Sequence, residues 1–133
     1  MSAAPPNPMQ NGRATILAVD DDPKVLSLLD AALTSAGYRV LVAEGGRNAI
    51  QVFEKNPQQV NLLLTDVIMP DLTGPVLAER LRARYPKLPV LFISGFHDAD
   101  LVQRFVTAKG FALLPKPFTV DALLKVVGEA LRA

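Results

Sequence analysis

The chain has 133 residues, enough for one hydrophobic core and too few for two ordinary domains. Its residues are 50% hydrophobic and 20% charged, a soluble globular composition and not that of a disordered chain. A net charge of +1 gives no reason to expect direct nucleic-acid binding, and the absence of cysteine excludes disulfides and thiolate zinc sites.

Residues 1–12 carry Pro5, Pro6 and Pro8 among small and polar residues without periodicity and read as a loose tail, leaving one domain over 13–133. The apolar run Ala14 to Val19 predicts a first strand ending in Asp20, Asp21 and Asp22. Asp22 followed by Pro23 matches an N-cap and first helical position. Val25, Leu28, Leu29, Ala32 and Leu33 then recur at helical spacing up to Gly37. Tyr38 to Ala43 is a second strand, and Gly45-Gly46 leads into a helix around Ala49 to Lys55 that stops before Pro57.

Leu62, Leu63 and Leu64 form a third strand, buried on both faces, that runs out at Asp66. Met69 to Pro75 is turn-rich, and Val76, Leu77 and Leu81 mark a third helix ending before Pro86. Leu88 to Ile93 is strand four, broken at Ser94-Gly95. A helix from about Asp98 to Ala108 follows and stops at Gly110. Phe111 to Leu114 is strand five, and Thr119 caps a last helix with the stripe Val120, Leu123, Leu124, Val127 and Leu131. Five strand-then-helix units argue for a parallel sheet with helices on both faces.

A lone acid at a strand end could simply cap a turn, but here two strands stop in acids. Ligands of parallel α/β sheets bind outside the carboxyl ends of the strands, so Asp20, Asp21 and Asp66 point to one crevice. Carboxylates gathered there repel by roughly 4 kcal/mol per pair about 4 Å apart at an effective dielectric near 20. An all-oxygen cluster that keeps room for water suits Mg2+ as the neutralising ion. The basic group Arg80, Arg82, Arg84 and Lys87 reads as a solvated helix face, Asp22 as a helix cap, Asp71 as a turn residue and His97 as a loop or helix-start residue.

With these positions in place, the chain resembles a receiver domain of a two-component response regulator from about Thr15 to Ala130. The features that carry the resemblance are Asp20-Asp21 after strand one, Asp66 after strand three, Ser94 after strand four and Lys116-Pro117-Phe118 after strand five. Each is weak alone; their order and strand-end placement are specific. The resemblance implies a flavodoxin-like (βα)5 three-layer sandwich, a five-stranded parallel sheet in the order 2-1-3-4-5 and a cis peptide between Lys116 and Pro117.

The same resemblance implies that Asp66 accepts a phosphoryl group from a histidine kinase or a histidine phosphotransfer protein. Asp20, Asp21, Asp66 and the backbone carbonyl of Ile68 would hold Mg2+ or Mn2+. Lys116 would pair with one phosphoryl oxygen, and the Ser94 hydroxyl would donate to another. Such a protein is not an enzyme beyond assisting its own phosphorylation and dephosphorylation. The segment Leu114 to Phe118, with Pro115, is similar to receivers attached to hybrid sensor kinases. No linker or DNA-binding module follows the last helix, so the expected output is contact with a downstream protein through helix four, strand five and helix five. No apolar stretch nears the roughly 20 residues of a membrane span and no secretory signal opens the chain, so no membrane insertion and a cytoplasmic location are expected.

Three positions depart from the family pattern. Leu113 stands three before the lysine, where receivers commonly carry an aromatic ring that takes part in the switch. Ile68 and Phe96, two after Asp66 and Ser94, are apolar and cannot orient an attacking water, which predicts slow self-dephosphorylation. A haloacid-dehalogenase-type phosphatase would need an acid where Ile68 stands, and a flavodoxin-like flavin binder would place phosphate against Asp20, Asp21 and Asp22, which repel it. The alternative kept open by Leu113 is a receiver-shaped protein-binding module that works without phosphorylation.

Overall fold

A computed structural model describes residues 14–95 and 99–132; the expected N-terminal tail, Phe96 and His97 lie outside the described residues. Five strands, β1 (Thr15–Val19), β2 (Arg39–Ala43), β3 (Leu62–Asp66), β4 (Val90–Ser94) and β5 (Ala112–Pro115), form one parallel sheet in the order β2-β1-β3-β4-β5. The helices are α1 (Pro23–Ser35), α2 (Gly46–Lys55), α3 (Gly74–Arg84), α4 (Ala99–Val102, continuing as a π-helical stretch Gln103–Thr107) and α5 (Val120–Arg132). This is the flavodoxin-like (βα)5 sandwich that the alternation and the resemblance imply.

Strand side chains alternate between two cores. Ile16, Ala18, Leu62, Leu64, Leu91 and Ile93 pack with Leu26, Leu29 and Leu33 of α1 and Leu123 and Val127 of α5. On the other face, Leu17, Val19, Leu63, Val90 and Phe92 pack with Ala49 and Phe53 of α2, Leu77 and Leu81 of α3 and Val106 of α4. Strands buried on both faces need apolar residues at every position, which is why they read as runs and not as alternations. β2 lies at an edge, and its residues are correspondingly more exposed.

Side-chain oxygens satisfy the helix starts where the sequence predicts them. Asp22 accepts from the Lys24 N–H at 2.9 Å, and Thr119 from the Ala122 N–H at 3.0 Å. Thr73 caps α3 by accepting from the Val76 N–H, so that helix begins at Gly74 and takes Pro75, placed in the turn by sequence, into its first turn. Asp66 and Ser94 end their strands instead of following them, because both still pair in the sheet, opposite Ile93 and Pro115. The Lys116–Pro117 peptide is cis.

The predicted helix stripes need two corrections. Leu28 is 46% exposed and Leu26 is buried in its place, since the burying face of α1 centres on Leu29 and Leu33. Val120, the first residue of α5, is 43% exposed. The basic group is not wholly solvated either. Arg82 donates from Nε and Nη2 to the Pro86 carbonyl at 3.1 and 2.7 Å and lies 5.2 Å from the centre of the Phe111 ring. Leu29→Ala should therefore cost about 2–5 kcal/mol, whereas Leu28→Ala should stay within about 0.5 kcal/mol of wild type; urea unfolding followed by circular dichroism checks the pair.

Candidate functional site

Sheet register sets the site. Val19 of β1 pairs with Thr65, Asp66 of β3 with Ile93, and Ser94 of β4 with Pro115. Asp20, Asp66, Ser94 and Lys116 are thereby brought level along one carboxyl edge. Backbone bonds continue the ladder beyond the strands: the Val67 N–H donates to the Ile93 carbonyl at 3.0 Å, and the Lys116 N–H to the Ser94 carbonyl at 2.8 Å.

Asp20, Asp66 and Ser94 are buried, and Asp21 is exposed. One oxygen from each of Asp20, Asp21 and Asp66 falls within 4.8 Å of the others. Asp20 Oδ1 is engaged by the Asp22 N–H at 2.9 Å. Its buried Oδ2 accepts no hydrogen bond, and the nearest cation, Lys116 Nζ, is 3.6 Å away, beyond useful hydrogen-bonding range. Lys116 Nζ instead donates to Asp66 Oδ2 at 3.0 Å.

One lysine cannot neutralise three carboxylates. Three clustered carboxylates, one of them with a buried oxygen that accepts no hydrogen bond, make a donor set suited to a hard, oxygen-preferring divalent ion. The residues present here fit such an ion. Asp22 faces the start of α1, where it caps the helix.

Titration reflects the same crowding. Burial first pushes the Asp20 carboxyl up; the Asp22 N–H draws it down, Asp66 raises it, Lys116 lowers it and Asp21 raises it, to a value of about 6. Burial draws Lys116 down, but its hydrogen bond to Asp66 and the charges of Asp66 and Asp20 outweigh this and hold the ammonium above its ordinary range.

The β3–α3 loop is built for close approach. A Cβ on Gly74 would lie 2.3 Å from the Asp66 carbonyl oxygen, and the Gly74 N–H donates to the Val67 carbonyl at 2.8 Å. Ile68 is 44% exposed beside Asp66. Leu113, half-buried, packs on the core under α2, α3 and α4. Next to Lys116, Val25, Leu28, Gly95, Pro117 and Phe118 line an apolar groove of about 430 Å3.

Asp71, expected to be a turn residue, does more. It accepts from the Gly46 N–H at 3.1 Å and the Arg47 N–H at 2.9 Å, across 25 and 24 residues. The Arg47 N–H bond is the main cause that holds its carboxyl below the ordinary range. The only sequence signal was indirect: Gly45-Gly46 opens a helix with no local cap.

A parallel (βα)5 sheet in the order 2-1-3-4-5, with an acid cluster, a lysine and a hydroxyl at its carboxyl edge, has the layout of a receiver fold. The family model for the response regulator receiver domain matches residues 16–128, and the chain belongs to that family. It is 34% identical over 121 residues to the sensor kinase CckA of Brucella abortus, covering 91% of this chain and 13% of the kinase. It is 33% identical to the DNA-binding transcriptional regulator NtrC of Klebsiella pneumoniae, covering 92% of this chain and 25% of the regulator. The chain therefore spans a quarter or less of the length of these curated relatives.

Among solved structures, the receiver domain of the hybrid histidine kinase CckA matches with a TM-score of 0.75 at 33% identity, covering 89% of this chain and 99% of that one. Chemotaxis protein CheY4 of Vibrio cholerae matches with a TM-score of 0.79 at 29% identity, covering 89% and 98%. The likeness of Leu114 to Phe118 to hybrid-kinase receivers accords with the first of these. Among the described residues no helix is long and apolar enough to cross a membrane.

For a carboxyl whose folded value lies above its ordinary 3.8, folding of the metal-free protein favours the protonated form. That contribution is complete below about pH 4 and is lost as the pH rises through about 6. Asp20→Asn should therefore raise metal-free stability at pH 7 by on the order of 1–3 kcal/mol. The advantage should vanish near pH 4, as read from urea midpoints at the two pH values in EDTA.

Proposed function

We propose that the protein is a phosphoacceptor in a histidine-to-aspartate phosphorelay. Asp66 is the acceptor, and the observation that carries this role is its direct hydrogen bond to Lys116 inside the acid cluster at the sheet's carboxyl edge. A carboxylate oxygen of Asp66 attacks the phosphorus of a phosphohistidine. The P–N bond breaks, and the imidazole leaves with the electron pair and is protonated. Asp20, Asp21, Asp66 and the Ile68 carbonyl would hold Mg2+ or Mn2+, which when bound would supply positive charge against the phosphoryl oxygens.

Lys116 then has two uses. Before transfer it offsets the Asp66 charge, and after transfer it swings to a phosphoryl oxygen while the Ser94 hydroxyl donates to another. The donor is a histidine kinase or a histidine phosphotransfer protein, and the apolar groove beside Lys116 supports a protein donor over a small one. The output is contact with a downstream protein, in the cytoplasm, without direct nucleic-acid binding. The added charge biases the surface of α4, β5 and α5. The protein turns over no substrate other than its own phosphoryl group.

Leu113 supports a second reading, a receiver-shaped binding module that works without phosphorylation. A leucine already half-buried in the core offers no ring whose rotation could report the state of Ser94. Incubation with Mg2+ and acetyl phosphate, followed by intact-mass measurement, separates the two. The phosphoacceptor gains one phosphate, needs Mg2+ and loses the gain in Asp66→Asn; the module gains none.

The apolar, exposed Ile68 leaves water beside the acyl phosphate without a hydrogen-bonding partner. Ile68→Asn should shorten the lifetime of the phosphorylated protein several-fold in a phosphate-release time course, with the extent of phosphorylation at saturating donor still reaching one per chain.

A further inference from the structure

The start of α2 is built in an unusual way. Gly45, its N-cap, sits at φ 104° and ψ 170°, a conformation open in practice to glycine alone. Glycine has no side-chain oxygen, so the turn that leads into α2 removes the local cap that Ser, Thr, Asp or Asn would supply. The first helical N–H groups still need acceptors. The first two are met by one carboxylate from the β3–α3 loop: Asp71 Oδ1 accepts from the Gly46 N–H and Oδ2 from the Arg47 N–H.

Packing reinforces the link. Leu72, the next residue of the loop, lies so close to Gly46 that a Cβ there would come within 2.5 Å of the Leu72 Cβ. A Cβ on Gly45 would press on the Asp71 carboxylate at 3.1 Å. At the far end, Gly74 closes the loop against the Val67 carbonyl at 2.8 Å. The loop is therefore tied at its base by Gly74 and at its tip by Asp71 and Leu72, with Ile68 between them.

We propose that Asp71 is a positioning residue for the acid site: by closing the N-terminus of α2 it fixes the β3–α3 loop, and with it the Ile68 backbone carbonyl that binds the metal. This deepens the phosphoacceptor reading and rests on it for the metal. The mechanical part of the proposal, a loop held by a helix start 25 residues away in sequence, does not depend on any metal.

The test uses the full chain and two readouts. Hydrogen–deuterium exchange is measured on wild type and Asp71→Ala without divalent ions. Mg2+ affinity is measured by calorimetry at a temperature where circular dichroism shows both folded. In Asp71→Ala, exchange should quicken at Gly46 and Arg47 and also at Val67, Ile68 and Met69, and the Mg2+ Kd should rise at least fivefold. Asp71→Asn, which keeps one acceptor oxygen, should fall between.

Faster exchange confined to Gly46 and Arg47 with an unchanged Kd overturns the proposal, since Asp71 is then only a helix cap. If Asp71→Ala does not fold, Gly46→Ala decides, because it displaces Leu72 with the carboxylate intact: a raised Kd supports the proposal and an unchanged one overturns it. If wild type binds no Mg2+, the phosphoacceptor reading fails instead, and the exchange pattern across 67–69 alone supports or overturns the latch.

Discussion

A carboxylate oxygen that the fold buries and leaves without a donor is the constraint on which the site depends. Asp20 clusters with Asp21 and Asp66, and its buried Oδ2 has Lys116 Nζ 3.6 Å away, just out of hydrogen-bonding range. Such a group weakens the folded chain when ionised. Its burial is tolerable because the surrounding sheet is strong: three central strands with no exposed residue, packed by helices on both faces. A proton on the carboxyl, or a divalent ion held there, would offset this shortfall at the carboxyl edge.

Parallel pairing supplies the geometry. In a parallel sheet every strand ends on the same side, so residues that follow different strands meet without any local motif joining them. Asp20 and Lys116 are 96 positions apart in the chain, and the sheet brings their charged atoms to 3.6 Å. The loops then only need to hold short segments in place. They do so through glycines at close approaches and through one long-range carboxylate, Asp71.

Helices are not held equally. α1 buries Leu26, Leu29, Ala32 and Leu33, whereas α4 buries only Val106 among its described residues and widens into a π-helical stretch from Gln103 to Thr107. An element with so little buried apolar surface shifts at lower cost than its neighbours. That asymmetry fits the surface assigned to output, while the well-anchored α1 borders the groove beside Lys116.

What could be read from the sequence was whatever depends on short-range chemistry. Apolar runs bounded by turn residues marked the strands, Asp22-Pro23 and Thr119 marked helix starts, and acids at strand ends marked the crevice. The strand order came from the resemblance, since periodicity says nothing about which strands are neighbours. Exposed Leu28 and Val120 show where periodicity misled: it identifies an apolar face but not its centre or its first turn. Tertiary structure alone decided the rest. Asp71 looked like a turn residue because its partners, Gly46 and Arg47, lie 25 and 24 positions away, and a long-range hydrogen bond leaves no local signature. Likewise the residue types of Asp20 named a charged side chain, but only the packed sheet determined that one of its oxygens would be buried without a donor.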